Sequence, residues 1–302
     1  MAAYHRVVLI FVDGIGLAPA GPDNPFGRVS MRALEGLLGG PLTVESVGAG
    51  AEAHLLAIDA NLGVEGLPQS ATGQTALFTG VNASKVLGHH STGLPGPRLR
   101  SIIDQGNLFS WIAERGKQAT FSNSYTPAYL DSLKQGSRRP SVTTCALLAS
   151  SVRPRDMDDL LQRRAVTWDV VRDHFRIQVD PTVPLVSPTE AGSDLAGLAA
   201  DHHLTVYETF LTDLAGHRRA GFEAEEVLVR IDGLLAGLIT NLTPETTVIL
   251  TSDHGNLEES SHRRHTRNPV PLLAFGPLAD RFHAVESIVE ITPLLVHLLT
   301  DD

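Results

Sequence analysis

Apolar positions along this chain take two forms: short unbroken runs, and longer stretches in which they recur three and four residues apart. The run at 7–12 (VVLIFV) stops at Asp13-Gly14, as a strand buried on both faces of a parallel sheet does. Runs at 204–213 (LTVYETFLTD), 246–253 (TTVILTSD) and 269–276 (PVPLLAFG) predict further strands, as do AHLLAID from Ala53 and QATFSNSY at 118–125. Helical spacing predicts helices over 30–38, 107–117, 141–151, 156–163, 167–174, 192–203 and 287–299. Another runs over 223–238, with acidic residues in its first turn, where the helix dipole favours them. LPQSATGQTALFTG (67–80) reads as a loop entering a helix near Ser70, and LAPAGPDNPFG (17–27) as a loop. The alternation of strand and helix predicts an α/β fold, a three-layer sandwich with a mostly parallel central sheet.

Composition narrows the class. At 302 residues and 42% hydrophobic, the chain has material for one large domain over 1–302. The net charge of −10 and the lack of any Lys/Arg run argue against a nucleic-acid partner. An anionic substrate stays compatible with that charge if bound metal ions make the site locally positive. Cys145 is the sole cysteine, which excludes an internal disulfide framework and fits a reducing compartment. The N-terminus lacks the length and cleavage pattern of a secretory signal, and no later run approaches a membrane span. A cytoplasmic protein without a membrane partner is expected; the oligomeric state is not readable.

Open parallel sheets bind ligands at the carboxyl ends of their strands. Asp13, Asp213 and Asp253 all fall there in this reading. TSDHGN (251–256) sets Asp253 beside His254, and His265 returns on the following loop. DLAGH places Asp213 and His217 four apart, on one face if that turn is helical. Taken singly, each has an ordinary alternative: Asp13 as a turn or cap residue, Asp213 as a cap, the histidines as surface residues. Together, Asp and His at three strand ends are what a two-metal hydrolytic site requires.

These segments also carry a family resemblance. FVDG (11–14), QSATG with the form Ser/Thr-x-x-Gly, DLAGHRR, SDHGN and HTRNPVP stand in the order found in the alkaline phosphatase superfamily. The resemblance is nearest the branch of phosphopentomutase and cofactor-independent phosphoglycerate mutase, and GHRR (216–219) is similar to the phosphopentomutase form. It spans about 5–90 and 205–300 and leaves 91–204 poorly matched. It implies an alkaline-phosphatase-like core and two divalent metal ions. One would be held by Asp13, Ser70, Asp253 and His254, the other by Asp213, His217 and His265. Mixed carboxylate and imidazole ligands suit Zn or Mn, ahead of Mg. Ser70 matches the family's nucleophile; Thr72 and Thr75 offer hydroxyls nearby, and Gln74 stands where the mutases have His.

His89, His90, Arg98 and Arg100 are weaker candidates for substrate binding, with surface positions as the commoner outcome. His262, Arg263 and Arg264 stand near the mouth of the site in sequence, and Asp23 and Asn24 follow the Asp13 loop. The mutases place a cap domain between the nucleophile and the second metal segment. Here most of 71–212 is needed for core βα units, so the cap is expected to be reduced or absent, with at most a small lid within 126–165. That favours water as acceptor: a phosphatase or phosphodiesterase acting on a small phosphate ester through a phosphoserine. A phosphomutase is the alternative, and a non-catalytic metal-binding protein a further one. A sulfatase is disfavoured because QSATG lacks the C/S-x-P-x-R pattern.

Overall fold

The computed structural model describes residues 5–50 and 52–301; residues 1–4, part of the N-terminal segment judged above not to be a signal, lie outside the described residues. Seven strands form one sheet: β1 (Arg6–Val12), β2 (Gly48–Ala49), β3 (Ala53–Ile58), β4 (Ala119–Phe121), β5 (Leu204–Thr209), β6 (Thr246–Thr251) and β7 (Val270–Phe275), in the order β2-β3-β7-β6-β1-β5-β4. β4, β5, β1 and β6 are parallel neighbours. β7 runs against both β6 and β3, and β3 therefore points the same way as β1. The mostly parallel α/β sandwich is the fold of this chain, with β7 and the short β2 as its reversed strands.

The unbroken apolar run of β1 has a direct packing cause. Alternate side chains point to opposite faces: Val7, Leu9 and Phe11 enter one core, and Val8, Ile10 and Val12 the other. Helices Ser70–Thr79, Leu108–Glu114, Val142–Leu148 and Ile291–Thr300 cover the first face, while Arg32–Leu38, Pro188–Asp201 and Ala224–Asn241 cover the second. With both faces covered, the side chains from Val7 to Val12 all meet apolar surroundings, and all six are apolar. Each such side chain contributes about 1.5–3 kcal/mol by leaving water.

Three expectations are corrected. The helix expected over 167–174 begins only at Asp173, because Val170 and Arg172 are left-handed (φ 68° and 71°). Asp169 accepts from the Phe175 N–H at 2.8 Å and starts the helix there. The strand expected to reach 213 ends at Thr209, so Asp213 sits in the helix Leu211–Gly216 that follows. Helices Ala83–Leu87, Pro97–Gln105 and Pro127–Lys134 were not foreseen, although the last two open with Pro at the first turn and the first is capped by Asn82.

Candidate metal centre

The carboxyl ends of β1, β5 and β6 lie side by side, and the loops leaving them meet at one edge of the sheet. Asp13 follows β1 directly, its N–H donating to Thr209 O at 2.9 Å. Thr212 Oγ1 in turn donates to Asp13 O. Gly14 is left-handed (φ 76°), and a Cβ there would stand 2.9 Å from Asp213, so the turn admits only glycine at this approach. The loop after β6 closes through an antiparallel bridge between Gly255 and Thr266. This bridge brings His265 back onto His254, their rings stacked with centroids 3.7 Å apart.

Two groups of donors result. Asp13, Asp253 and His254 each offer an atom within 4.8 Å of the others, and Asp213, His217 and His265 do the same. In the first, His254 Nε2 lies 3.3 Å from Asp13 Oδ1 and 3.7 Å from Asp253 Oδ2. Ser70 Oγ joins it at 3.0 Å from the same Nε2. In the second, Asp213 Oδ1 lies 3.4 Å from His217 Nε2 and 3.6 Å from His265 Nε2. The structure thus brings together all seven positions to which the resemblance pointed.

The electrostatics show what the first group lacks. Burial, then repulsion from Asp253, Asp213 and Glu208, pushes the Asp13 carboxyl well above its ordinary range. Burial and the Asp213 charge push Asp253 up likewise. Burial, with His265 and His217 nearby, drives His254 well down, and His265 falls for the same first reason. Asp13 Oδ1 and both Asp253 oxygens are buried and accept no hydrogen bond. Uncompensated buried carboxylates cost several kcal/mol each, and a divalent cation between neutral imidazole and carboxylate supplies the missing charge. The donor set fits such a cation on these grounds.

The candidate hydroxyls differ in direction. Thr72 Oγ1 donates to Gln69 O and Thr75 Oγ1 to Ala71 O, both within their own helix. Ser70, at the first position of that helix, points its oxygen at the donor group instead. Gly73, one turn on, lets the helix lie against the Asp253 backbone: a Cβ there would stand 2.6 Å from Asp253 O.

A supporting layer escaped the sequence reading. Gln74 Nε2 donates to Asp13 Oδ2 at 3.1 Å, so the residue that replaces the mutase His orients a carboxylate. Asn256 Nδ2 donates to Asp213 Oδ1 at 2.8 Å. Pro68 O accepts from His265 Nδ1 and Arg263 O from His217 Nδ1, both at 2.8 Å, which leaves each Nε2 facing the group. The buried Glu258 accepts from the N–H groups of Gly16 and Asn256 at 2.8 Å, from Asn268 Nδ2 at 3.0 Å and from Thr266 Oγ1. It thereby ties the loop after β1 to both arms of the loop after β6. The signal available was its place in SDHGNLEES, one turn past the Asp-His pair.

The weaker candidates have contacts of their own, and Ser91, next to His90, bonds with Thr72 of the Ser70 helix. His90 directs its ring nitrogens at Ser84 Oγ (3.1 Å) and Val64 O (3.3 Å), and His89 is exposed. Arg98 is exposed on the helix Pro97–Gln105, and the Arg100 charge acts on Cys145 rather than on the donor groups. Asn24 closes its own loop through Ala18 O, Pro19 O and Phe26 N, and Asp23 O accepts from Ser260 N.

Comparison with known proteins agrees with this geometry. Residues 190–300, which carry Asp213, His217, Asp253, His254 and His265, match the family model of the metalloenzyme superfamily. The whole fold is similar to that of a Pyrococcus horikoshii protein (12% identity, TM-score 0.61, 99% of this chain and 98% of that one). It is also similar to alkaline phosphatase from the Antarctic bacterium TAB5 (13%, 0.50, 97% of each). A protein of the alkaline phosphatase superfamily from Vibrio parahaemolyticus matches as well (11%, 0.51, 99% of this chain and 67% of that one). At these identities the likeness to solved structures is one of fold. The resemblance read from the sequence is matched in fold, and over 190–300 by the metalloenzyme model.

Proposed function

We propose that this chain, a metalloenzyme with an alkaline-phosphatase-like fold, is a two-metal phosphoryl-transfer hydrolase that acts on a small phosphate ester through a phosphoserine at Ser70. The observation that carries the reading is the Ser70 hydroxyl, at a helix N-terminus and 3.0 Å from His254, facing one of two adjoining Asp/His groups. Asp13, Asp253 and His254, with Ser70, would hold one cation; Asp213, His217 and His265 the other. When bound, divalent cations acidify a hydroxyl and neutralise phosphate oxygens. Mixed O and N donors favour Zn or Mn over Mg.

The residues themselves supply position. Gln69 makes no side-chain cap and the Thr72 N–H donates to Ser91 O at 3.3 Å, which leaves the N–H groups of Ser70 and Ala71 for phosphate oxygens, where the helix dipole favours negative charge. Ser70 Oγ attacks phosphorus, the Oγ–P bond forms and the ester oxygen departs. Water then attacks phosphorus, breaks the Oγ–P bond and restores the serine. Hydrolysis rather than isomerisation is supported by the span between Ser70 and Asp213. Val142, Ala146 and Leu147 belong to the main core, the helix Pro127–Lys134 has no buried residue, and Leu160, Ala165, Phe175 and Val183 form a small cluster of their own. A lid built from these short segments is small for sealing a turning intermediate from water.

Metal analysis of the purified protein, followed by free-phosphate release from a panel of phosphate monoesters and diesters, tests the reading. Ser70→Ala should remove turnover. Isomer formation without phosphate release would replace the hydrolase by a phosphomutase, and full turnover in Ser70→Ala would refute the nucleophile.

A further inference from the structure

At the carboxyl ends of β4 and β5, beside the donor groups, lies a cavity of about 360 Å³ that the phosphoryl-transfer chemistry leaves unused. Its walls are aromatic. Trp168 and Phe210 stack with centroids 4.3 Å apart, and Tyr125 and Tyr129 stack at 5.7 Å. Tyr125 is the continuation of a line of core rings through Phe109 and Phe121, and its hydroxyl is fixed to Thr144 Oγ1 at 3.1 Å. These walls are held in place before any ligand arrives.

We propose that this cavity receives the alcohol part of the substrate and selects an aryl group that carries an O–H or N–H donor. The proposal rests on the phosphoryl-transfer reading for the word substrate, and on the cavity alone for the ligand class.

Position is the first argument. Phe210 immediately precedes the helix Leu211–Gly216 that carries Asp213, and Glu208, on the same wall, is close enough for its charge to act on Asp13. An ester whose phosphorus sits at Ser70 and the two donor groups therefore has this cavity as a neighbour. Chemistry is the second. Aromatic faces take rings in stacked or edge-on contact, and Glu208 supplies the polar anchor. One of its oxygens accepts from Thr143 Oγ1 at 3.1 Å; the other has no partner among the described residues. Burial pushes that carboxyl up to about 7, with only the Thr143 bond opposing, so Arg138, the basic residue of the lining, is not paired with it. Size is the third: the volume lies at the lower end of the range of small-molecule pockets, about 300–1,000 Å³. It accommodates one ring system, whereas a small ammonium group would leave most of it unfilled.

The test uses 2-(4-hydroxyphenyl)ethanol and its phosphate, with ethyl phosphate as the ester of a similar primary alcohol lacking the ring. Calorimetric titration of the free alcohol is performed on full-length protein, both chelated and metal-loaded, and kcat/KM is compared for the two esters. The expected result is binding of the alcohol in both states and a kcat/KM at least about tenfold higher for the aryl ester. In Tyr129→Ala and Glu208→Gln, checked for native circular dichroism, the alcohol should bind about tenfold more weakly and the preference between esters should shrink. Two variants are used so that one misfolded protein does not decide the matter. Absence of alcohol binding together with equal kcat/KM for the esters overturns the proposal and leaves the hydrolase reading standing. Binding of choline in place of the aryl alcohol overturns it in favour of a cation cage. Alcohol binding without hydrolysis of any ester supports the ligand class and removes the phosphoryl-transfer reading instead.

Discussion

Replacing Gly73 by alanine adds one methyl group where the Ser70 helix meets the Asp253 backbone. The new Cβ would stand 2.6 Å from Asp253 O and 3.0 Å from Asp253 Cβ, so the helix must retreat by about 0.8 Å to reach ordinary contact. Two stability effects oppose each other. Overpacking costs about 1–3 kcal/mol, and alanine exceeds glycine in a helix interior by about 1 kcal/mol. The net loss of about 0–2 kcal/mol lowers the melting temperature by no more than about 4 °C in a chain of this size. Catalysis is far less tolerant, because displacement of a reacting atom by about 1 Å costs about a hundredfold. We therefore expect kcat/KM for phosphate release to fall about 10–100-fold while the protein stays folded. Gly36 provides the control: it is exposed in the helix Arg32–Leu38 with nothing within 4 Å of an added Cβ. Gly36→Ala should raise the melting temperature by about 2 °C and leave kcat/KM unchanged. Wild-type kcat/KM in Gly73→Ala would refute the link between this close approach and the nucleophile. A fall in melting temperature of about 10 °C, beyond what the overpacking estimate allows, would show that the contact serves the core instead.

Three further outcomes follow from the donor groups. His254→Ala and His217→Ala should each lower the bound metal from two ions to one, as read by elemental analysis; loss of both ions in either variant would show one cooperative site. Gln74→Ala and Asn256→Ala, which free the Asp13 and Asp213 carboxylates, should each weaken metal binding about 10–100-fold in a chelator competition. Unchanged affinity would mean that packing alone orients those side chains. Above about pH 7, where His254 and His265 are neutral folded or unfolded and no longer oppose the trend, stability of chelated protein should fall as pH rises to about 8. Burial raises Asp13 above its usual range and Asp253 to about 8, so the folded chain keeps protons that the unfolded chain releases near its ordinary pKa. Saturating Mn or Zn should flatten that slope, and a chelated protein whose melting temperature climbs across the same range would contradict the assignment.

How much was legible differs residue by residue. The β1 run and the Asp-Gly that ends it announced a doubly buried strand with a loop at its carboxyl end, since six apolar side chains in a row leave no face for water. The positions Asp253 and His254 were legible for the same reason, being the first polar pair after 248–250. The Asp213 strand end was misjudged because Phe210 and Leu211 are as apolar as the strand before them, and hydrophobicity does not mark where β5 becomes a helix. The turn at 167–172 was hidden because left-handed Val170 and Arg172 have no sequence signature. Glu208 and the rings around it passed unremarked, since a carboxylate in VYETF looks like an edge residue until β4 and the helix Pro127–Lys134 are laid beside it.

By itself the sequence determined the layers and the types of ligand. Periodicity sorts side chains between two core faces, and Asp or His directly after an apolar run falls at the sheet's carboxyl edge by chain geometry alone. Only the tertiary structure decided how the candidate donors group, because His254 and His265 stack on each other yet turn their Nε2 atoms toward different partners. It also decided that Ser70 and not Thr72 faces the site, that Gln74 and Glu258 hold it in shape, and that an aromatic cavity stands beside it. Those relations join residues up to 242 positions apart, and no local pattern in the chain carries the distance between them.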